Sequence, residues 1–129
     1  MSGHTLHLLP GRFAICRLDP AAPVPPWAEG GGFTSVTRTS DELSVICPDV
    51  RVPGDAACER GWRCLQVEGP FDFGAVGVLA SLAAPLAQAA VPLLACSTYD
   101  TDYLLVKEAD LSRAAEALRG AGHRMVEPT

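Results

Sequence analysis

The sequence is short of charge and of aromatic rings, at 19% and 6% of its residues, while nearly half (48%) are hydrophobic. That balance excludes a disordered chain, which needs low hydrophobicity and high net charge. Positive charge is scarce as well: the formal charge is −5 and the pI near 5. Arg12, Arg17, Arg38, Arg51 and Arg60 are scattered and form no stripe, so the footprint of a nucleic-acid binder is missing. No apolar run is long. The Ala/Leu-rich stretch from Gly77 to Ala90 contains Pro85 and falls short of the ~18 apolar residues that indicate a membrane span. The N-terminus has no signal-peptide order of basic, apolar and small residues, and a soluble cytoplasmic protein is the expectation.

The five cysteines are odd in number and include no C-x-x-C pair, which argues against a disulfide framework or a zinc ribbon. Cys16, Cys47 and Cys96 sit in the apolar runs "FAICRL", "LSVIC" and "LLAC", where cysteine acts as a small hydrophobe. Cys58 and Cys64 are the one plausible exposed pair. Only His4, His7 and His123 are available to complete a metal site, and His7 reads as an edge-strand residue, so neither metal nor cofactor is expected. No nucleophile elbow, phosphate loop or metal-binding helix is present. A catalytic role is therefore not expected.

At 129 residues the chain makes one domain or two half-size units. The second half is the clearer. "WRCLQVE" (62–68) alternates like a half-buried strand, and Asp72 is placed to cap a helix beginning at Phe73. Helical spacing then sets Val76, Leu79, Ala83, Leu86 and Ala90 on one stripe. Pro85 kinks or opens that helix by removing a donor to the carbonyl of Ser81. "VPLLACS" and "YLLVK" read as strands around the turn "TYDTD". "DLSRAAEALRGAG" reads as a helix capped by Asp110, with Leu111, Ala114, Ala115 and Leu118 inward and Gly120 or Gly122 at its end. "HRMVE" is a closing strand. The order β-α-β-β-α-β is that of ferredoxin-like folds. In the first half, "LHLL" and "FAICRL" are strands around "PGR", a short helical turn fits "PPWAE", and "FTSVTR" and "ELSVIC" form a hairpin. "PDVRVPGDAACERG" reads as a connecting loop.

One internal echo joins the halves. With Glu42 set against Asp102, "VTRTSDELSVI" (36–46) matches "CSTYDTDYLLV" (96–106): an apolar strand end, a polar turn, an acid, then a strand. The economical architecture is α+β, with two related half-domains packed side by side: residues 1–60, degenerate, and residues 61–129.

Three motifs in sequence, "GPFDF", a helix ending "APLA" and "STYDTDY", together with "TSDELSVICP" and "ALRGAGH", strongly resemble small bacterial tandem ACT-domain proteins. They are also similar to the ACT units of the CASTOR-type animal arginine sensors. The resemblance runs from about Leu6 to His123 and implies that each half is an ACT unit. It also implies a small effector, typically an amino acid, bound at an interface between ACT units. By that resemblance the ligand contacts fall on Gly77 and Val78 at the helix start and on Thr98, Tyr99 and Asp102 in "STYDTD". Pro92 and Leu93 would close the pocket from an opposing unit. Two positions depart from the sensor pattern: Ala75 stands where it has a glutamate, and Asp72, kept as the eighth ligand-binding candidate, where it has a glycine. The resemblance therefore carries the site and not the ligand. Because the sensor joins equivalent units of a four-unit chain, two units imply a C2 homodimer with paired sites. An unidentified regulated protein would be the downstream partner. The chemistry is compatible: a helix start offers N–H groups to a carboxylate, glycines such as Gly74 and Gly77 permit close approach, and Asp102 suits an ammonium group. The competing expectation is an interaction module that keeps the fold without a ligand, its pocket plugged by Phe73 or Tyr99.

Overall fold

The computed structural model describes residues 3–128. The strands are β1 (Thr5–Leu8), β2 (Phe13–Leu18), β3 (Ser35–Arg38), β4 (Leu43–Pro48), β5 (Cys58–Val67), β6 (Leu94–Ser97), β7 (Asp102–Lys107) and β8 (Arg124–Val126). The α-helices are α1 (Val78–Gln88) and α2 (Leu111–Gly120), and short 3-10 turns cover Pro26–Ala28, Asp49–Arg51 and Glu108–Asp110. The chain divides into two compact units: Met1–Pro10 with Arg63–Thr129, and Gly11–Trp62. The division thus falls inside β5, and the first ten residues belong with the C-terminal part. They do so because β1 pairs antiparallel with β5 and parallel with β8.

In the helical unit the order β5-α1-β6-β7-α2-β8 follows the β-α-β-β-α-β series. Its strands run β6-β7-β5-β1-β8, so β1 is inserted between the first and last strands of the series. His7 therefore lies on an interior strand and not on an edge, and its ring bonds Glu68 at 2.7 Å. Strand residues Leu6, Leu8, Leu65, Val67, Leu104 and Val106 form one core with Leu82 and Leu86 of α1 and Ala114 and Leu118 of α2. Burial of each such aliphatic side chain contributes about 1.5–3 kcal/mol.

The helix starts later than its sequence pattern indicates. Asp72 does not cap it; the Asp72 carbonyl accepts the Ala75 N–H (2.9 Å) in a turn ahead of the helix. The N-cap is Gly77, at φ 81°, with no side-chain capping bond. A Cβ there would meet nothing within 4 Å, so the requirement for glycine is the left-handed backbone itself. The expected stripe shifts with the start. Val76 is outside the helix and 95% exposed, Leu79 is exposed, and the buried residues are Leu82 and Leu86. Pro85 does not end α1. The Ser81 carbonyl, denied a donor at position 85, is met by His123 Nε2 at 2.9 Å. His123 Nδ1 accepts the His4 N–H at 3.0 Å, which fixes the neutral tautomer with the proton on Nε2.

Both helices finish in Schellman motifs. In α2 the His123 N–H reaches the Leu118 carbonyl and the Gly122 N–H that of Arg119 (3.0 Å each), with Gly122 at φ 95°. In α1 the Val91 N–H reaches the Leu86 carbonyl (2.9 Å), and the left-handed position is held by Ala90 at φ 58°. Asp110 stands at the N-cap of α2 without a capping bond; its carboxylate bonds Arg113 at 3.0 Å instead.

The Gly11–Trp62 unit has the order β3-β4-β2-β5, antiparallel throughout. That is the same β-x-β-β-x-β strand order, with the first crossover reduced to the 3-10 turn at Pro26–Ala28 and the second to the 49–57 connection. Its core is Ala14, Cys16, Ala28, Leu43, Val45, Cys47 and Val52. β5 begins at Cys58, four residues before the expected strand start, because Cys58 and Glu59 pair with Cys16 and Ile15. Among the described residues no helix is long and apolar enough to cross a membrane.

Candidate functional site

A cleft of about 410 Å³ opens beside the start of α1. One wall is the segment Phe71–Ala80; the other is the turn between β6 and β7, Ser97 to Asp102. Of the eight residues singled out in the sequence, Asp72, Gly77, Val78, Thr98, Tyr99 and Asp102 line this cleft. Pro92 and Leu93 do not: Pro92 is exposed, and Leu93 packs on the helical unit's core.

The turn is rigidly built. Ser97 pairs with Asp102 across the hairpin, and the Ser97 hydroxyl donates to the Asp102 carboxylate at 2.6 Å. The Thr98 N–H bonds the Thr101 carbonyl (2.8 Å), and the Thr98 hydroxyl lies 3.1 Å from that carbonyl and 3.3 Å from the Thr101 N–H. Thr101 is buried and donates its hydroxyl to the Val67 carbonyl at 2.6 Å. The Phe71 N–H donates to the Asp100 carbonyl at 2.8 Å. Gly69 passes so close that a Cβ there would lie 3.0 Å from the Asp100 carbonyl oxygen. These bonds lock the two walls together at the closed end. At the open end Phe73 and Tyr99 meet edge to face, ring centroids 4.9 Å apart, yet stay 76% and 80% exposed. They stand at the rim and do not fill the cleft.

The electrostatics are asymmetric. The N–H groups of Val78, Leu79 and Ala80 belong to the first turn of α1 and have no acceptor within the helix, and all three residues line the cleft. They present the positive end of the helix dipole. Asp102 and Asp100 face them from the opposite wall, Asp72 stands on their own wall, and the lining has no Lys, Arg or His. Sequence reasoning passed over Ser97 and Thr101, whose roles appear only once the hairpin register is known. Glu68 pairs with His7, and Glu42 lines a separate cleft in the other unit.

The turn has a counterpart. Thr39 uses its N–H to bond the Glu42 carbonyl (2.9 Å), and its hydroxyl accepts the Asp41 and Glu42 N–H groups at 3.1 and 3.2 Å. The pairs Arg38–Leu43 and Ser97–Asp102 close the two hairpins. Thr39, Asp41 and Glu42 therefore correspond to Thr98, Asp100 and Thr101. The internal echo is real in the hairpins but one residue out of step with the Glu42–Asp102 alignment, since the turn's own hydrogen bonds set the register.

The family model for the ACT domain matches residues 57–120, over the strands, helices and turn that build the cleft. A second model, of an N-terminal domain, matches residues 11–55. This chain belongs to the ACT-domain family. The ACT protein is 41% identical over 91 residues to the cytosolic arginine sensor for mTORC1 subunit 1 of Bos taurus, a match covering 62% of this chain and 28% of that one. It thus spans little more than a quarter of that relative's length. An X-ray structure of a protein from Agobacterium tumefaciens is 39% identical, covers 100% of this chain and 96% of its own, and superposes with a TM-score of 0.94. The regulatory subunit of aspartate kinase from Thermus thermophilus shares the fold at 12% identity, covering 91% of this chain and 96% of its own, with a TM-score of 0.57.

Proposed function

We propose that this ACT-domain protein binds a free amino acid in the cleft between the start of α1 and the β6–β7 turn, and that occupancy regulates a partner protein. The observation that carries the reading is the pairing of an uncapped helix start with an acidic, hydroxyl-bearing turn across one cleft. The ligand's carboxylate docks on the N–H groups of Val78, Leu79 and Ala80, where the helix dipole favours an anion. Its ammonium group faces Asp102, which Ser97 holds in place. Thr98 and Tyr99 border the side chain. The arginine-sensor relative and the regulatory-subunit fold agree with a regulatory module of this class and not with a catalyst. Such a sensor works on free amino acids in the cytoplasm.

Pro92 and Leu93 lie outside the cleft of their own chain. We assign them to the cleft of a second copy, in a C2 homodimer whose two sites are each completed by the partner. Light scattering at micromolar concentration then reads a dimer; a monomer under those conditions removes this part of the proposal.

Thermal melts against the twenty amino acids in millimolar excess test the ligand. A ligand at ~100 times its Kd adds ~2.7 kcal/mol of stability, a shift of several degrees. A selective shift that disappears in Asp102→Ala supports the sensor. Twenty unchanged melts favour the second reading, an interaction module without a ligand, for which exposed Phe73, Val76 and Tyr99 at the rim would be the contact surface.

A further inference from the structure

Cys16 and Cys58 stand directly opposite each other in the β2–β5 ladder. The Arg17 N–H donates to the Ala57 carbonyl at 3.0 Å, which makes Arg17–Ala57 a hydrogen-bonded pair and Cys16–Cys58 the neighbouring non-hydrogen-bonded pair. In antiparallel sheets such pairs bring Cα atoms to about 4.5 Å, with side chains drawn together. That separation lies inside the roughly 4.4–6.8 Å that a disulfide spans. The Cys58 thiol is one of the neighbours that, after burial, push the Cys16 thiol up. Both side chains lie on the core face of the sheet with Ala14, Val45 and Cys47, where Cys16 is buried and Cys58 half-buried. The pair is open to a small oxidant at the half-buried Cys58. Cys47, opposite Ala14 on β4, is the third cysteine of this unit and is fully buried in the same core.

We propose that Cys16 and Cys58 are a reversible modification site, closing to an intramolecular disulfide when a peroxide reaches Cys58. Cys58, the more exposed, reacts first: its sulfur takes one peroxide oxygen, the O–O bond breaks, and a sulfenic acid and one water result. The Cys16 sulfur then attacks the Cys58 sulfur. The S–S bond forms, the S–O bond breaks, and the hydroxyl leaves as a second water with the Cys16 proton. Two thiols are oxidised by two electrons and one peroxide is reduced to two waters; a dithiol reverses the step. Burial pushes the Cys16 thiol up to about 12, so closure is slow near neutrality and quickens as rising pH frees its thiolate. The crosslink ties β2 to β5 in the unit that has no α-helix.

The experiment treats the full, reduced chain with hydrogen peroxide, alkylates the remaining thiols under denaturing conditions, and maps peptides without reduction. The expected result is a fall from five free thiols to three. The peptide carrying Cys16 is then joined to the one carrying Cys58, dithiothreitol reverses the link, and closure is faster at about pH 9 than at about pH 7. Cys58→Ser stops the crosslink and Cys64→Ser leaves it intact; should Cys58→Ser not fold, the wild-type map decides alone. The proposal is overturned by a Cys16–Cys47 link, by disulfide-linked dimers, by Cys58 oxidised beyond the sulfenic acid with no link, or by five thiols that survive excess peroxide.

Discussion

The two units share a strand order and a turn but differ in what covers them. In the helical unit, Leu82, Leu86, Ala114 and Leu118 from two helices close the core. In the Gly11–Trp62 unit, Ala28, Val52 and the flanking Trp27 and Ala56 come from 3-10 turns and connections. The strands alone are thus enough to specify the ferredoxin-like order, while the cleft with its helix start exists only where a helix survives. The turn Thr98–Thr101 borders that cleft, whereas its twin Thr39–Glu42 performs the same hydrogen bonding beside no helix. Hairpin and site are therefore separable properties.

The sharpest way to break the comparison is to open each core. Leu86→Ala leaves a cavity between a helix and a sheet that cannot collapse, and is expected to cost ~2–5 kcal/mol in chemical denaturation. Leu43→Ala, also fully buried, is expected at the low end of that range, because irregular covering segments relax into the space. Equal losses would show that the degenerate unit is as tightly packed as the helical one. Next in size is His123→Ala, which leaves the Ser81 carbonyl and the His4 N–H without their partner. It is expected to lower stability by ~1–3 kcal/mol, with faster amide exchange at the start of α1. Thr39→Val and Thr98→Val remove equivalent turn bonds and are expected to cost ~1 kcal/mol each. Only Thr98→Val is expected to weaken a ligand-induced rise in Tm as well; a loss from Thr39→Val would place the site elsewhere. The smallest effect is a gain. Ala90→Gly relieves a left-handed alanine, and melts should show stabilisation of ~1 kcal/mol or less.

Much of this architecture was legible in the sequence where local chemistry and tertiary need coincide. "WRCLQVE", "YLLVK" and "DLSRAAEALRGAG" carry alternation or a 3.6-residue stripe that the core then uses, and their elements stand where they were expected. The start of α1 lies later than the sequence indicates because "DFGAVG" offers both a capping acid and two glycines, and only the backbone shows that Gly77, at φ 81°, is the cap. "CERG" reads as a loop since Gly61 and its charges obscure strand character, which pairing with β2 supplies. β1 fell into the wrong unit because nothing local reveals its partners, β5 and β8. Six of the eight positions named from the sequence line the cleft, since they lie in the motifs that build its walls. Ser97 and Thr101 carry no such signal, since their hydrogen bonds depend on a hairpin register.

The bond from His123 to Ser81 has a consequence for how this chain can vary. Proline at position 85 withholds a donor, and a histidine 42 residues from Ser81 supplies it, so the two positions are epistatic. With alanine at 85, whose N–H serves the Ser81 carbonyl, His123 is freer to change. With proline in place, the loss of His123 exposes a buried carbonyl. Replacing the proline before the histidine is therefore the expected order of tolerated change, and a double-mutant cycle between positions 85 and 123 reads the coupling.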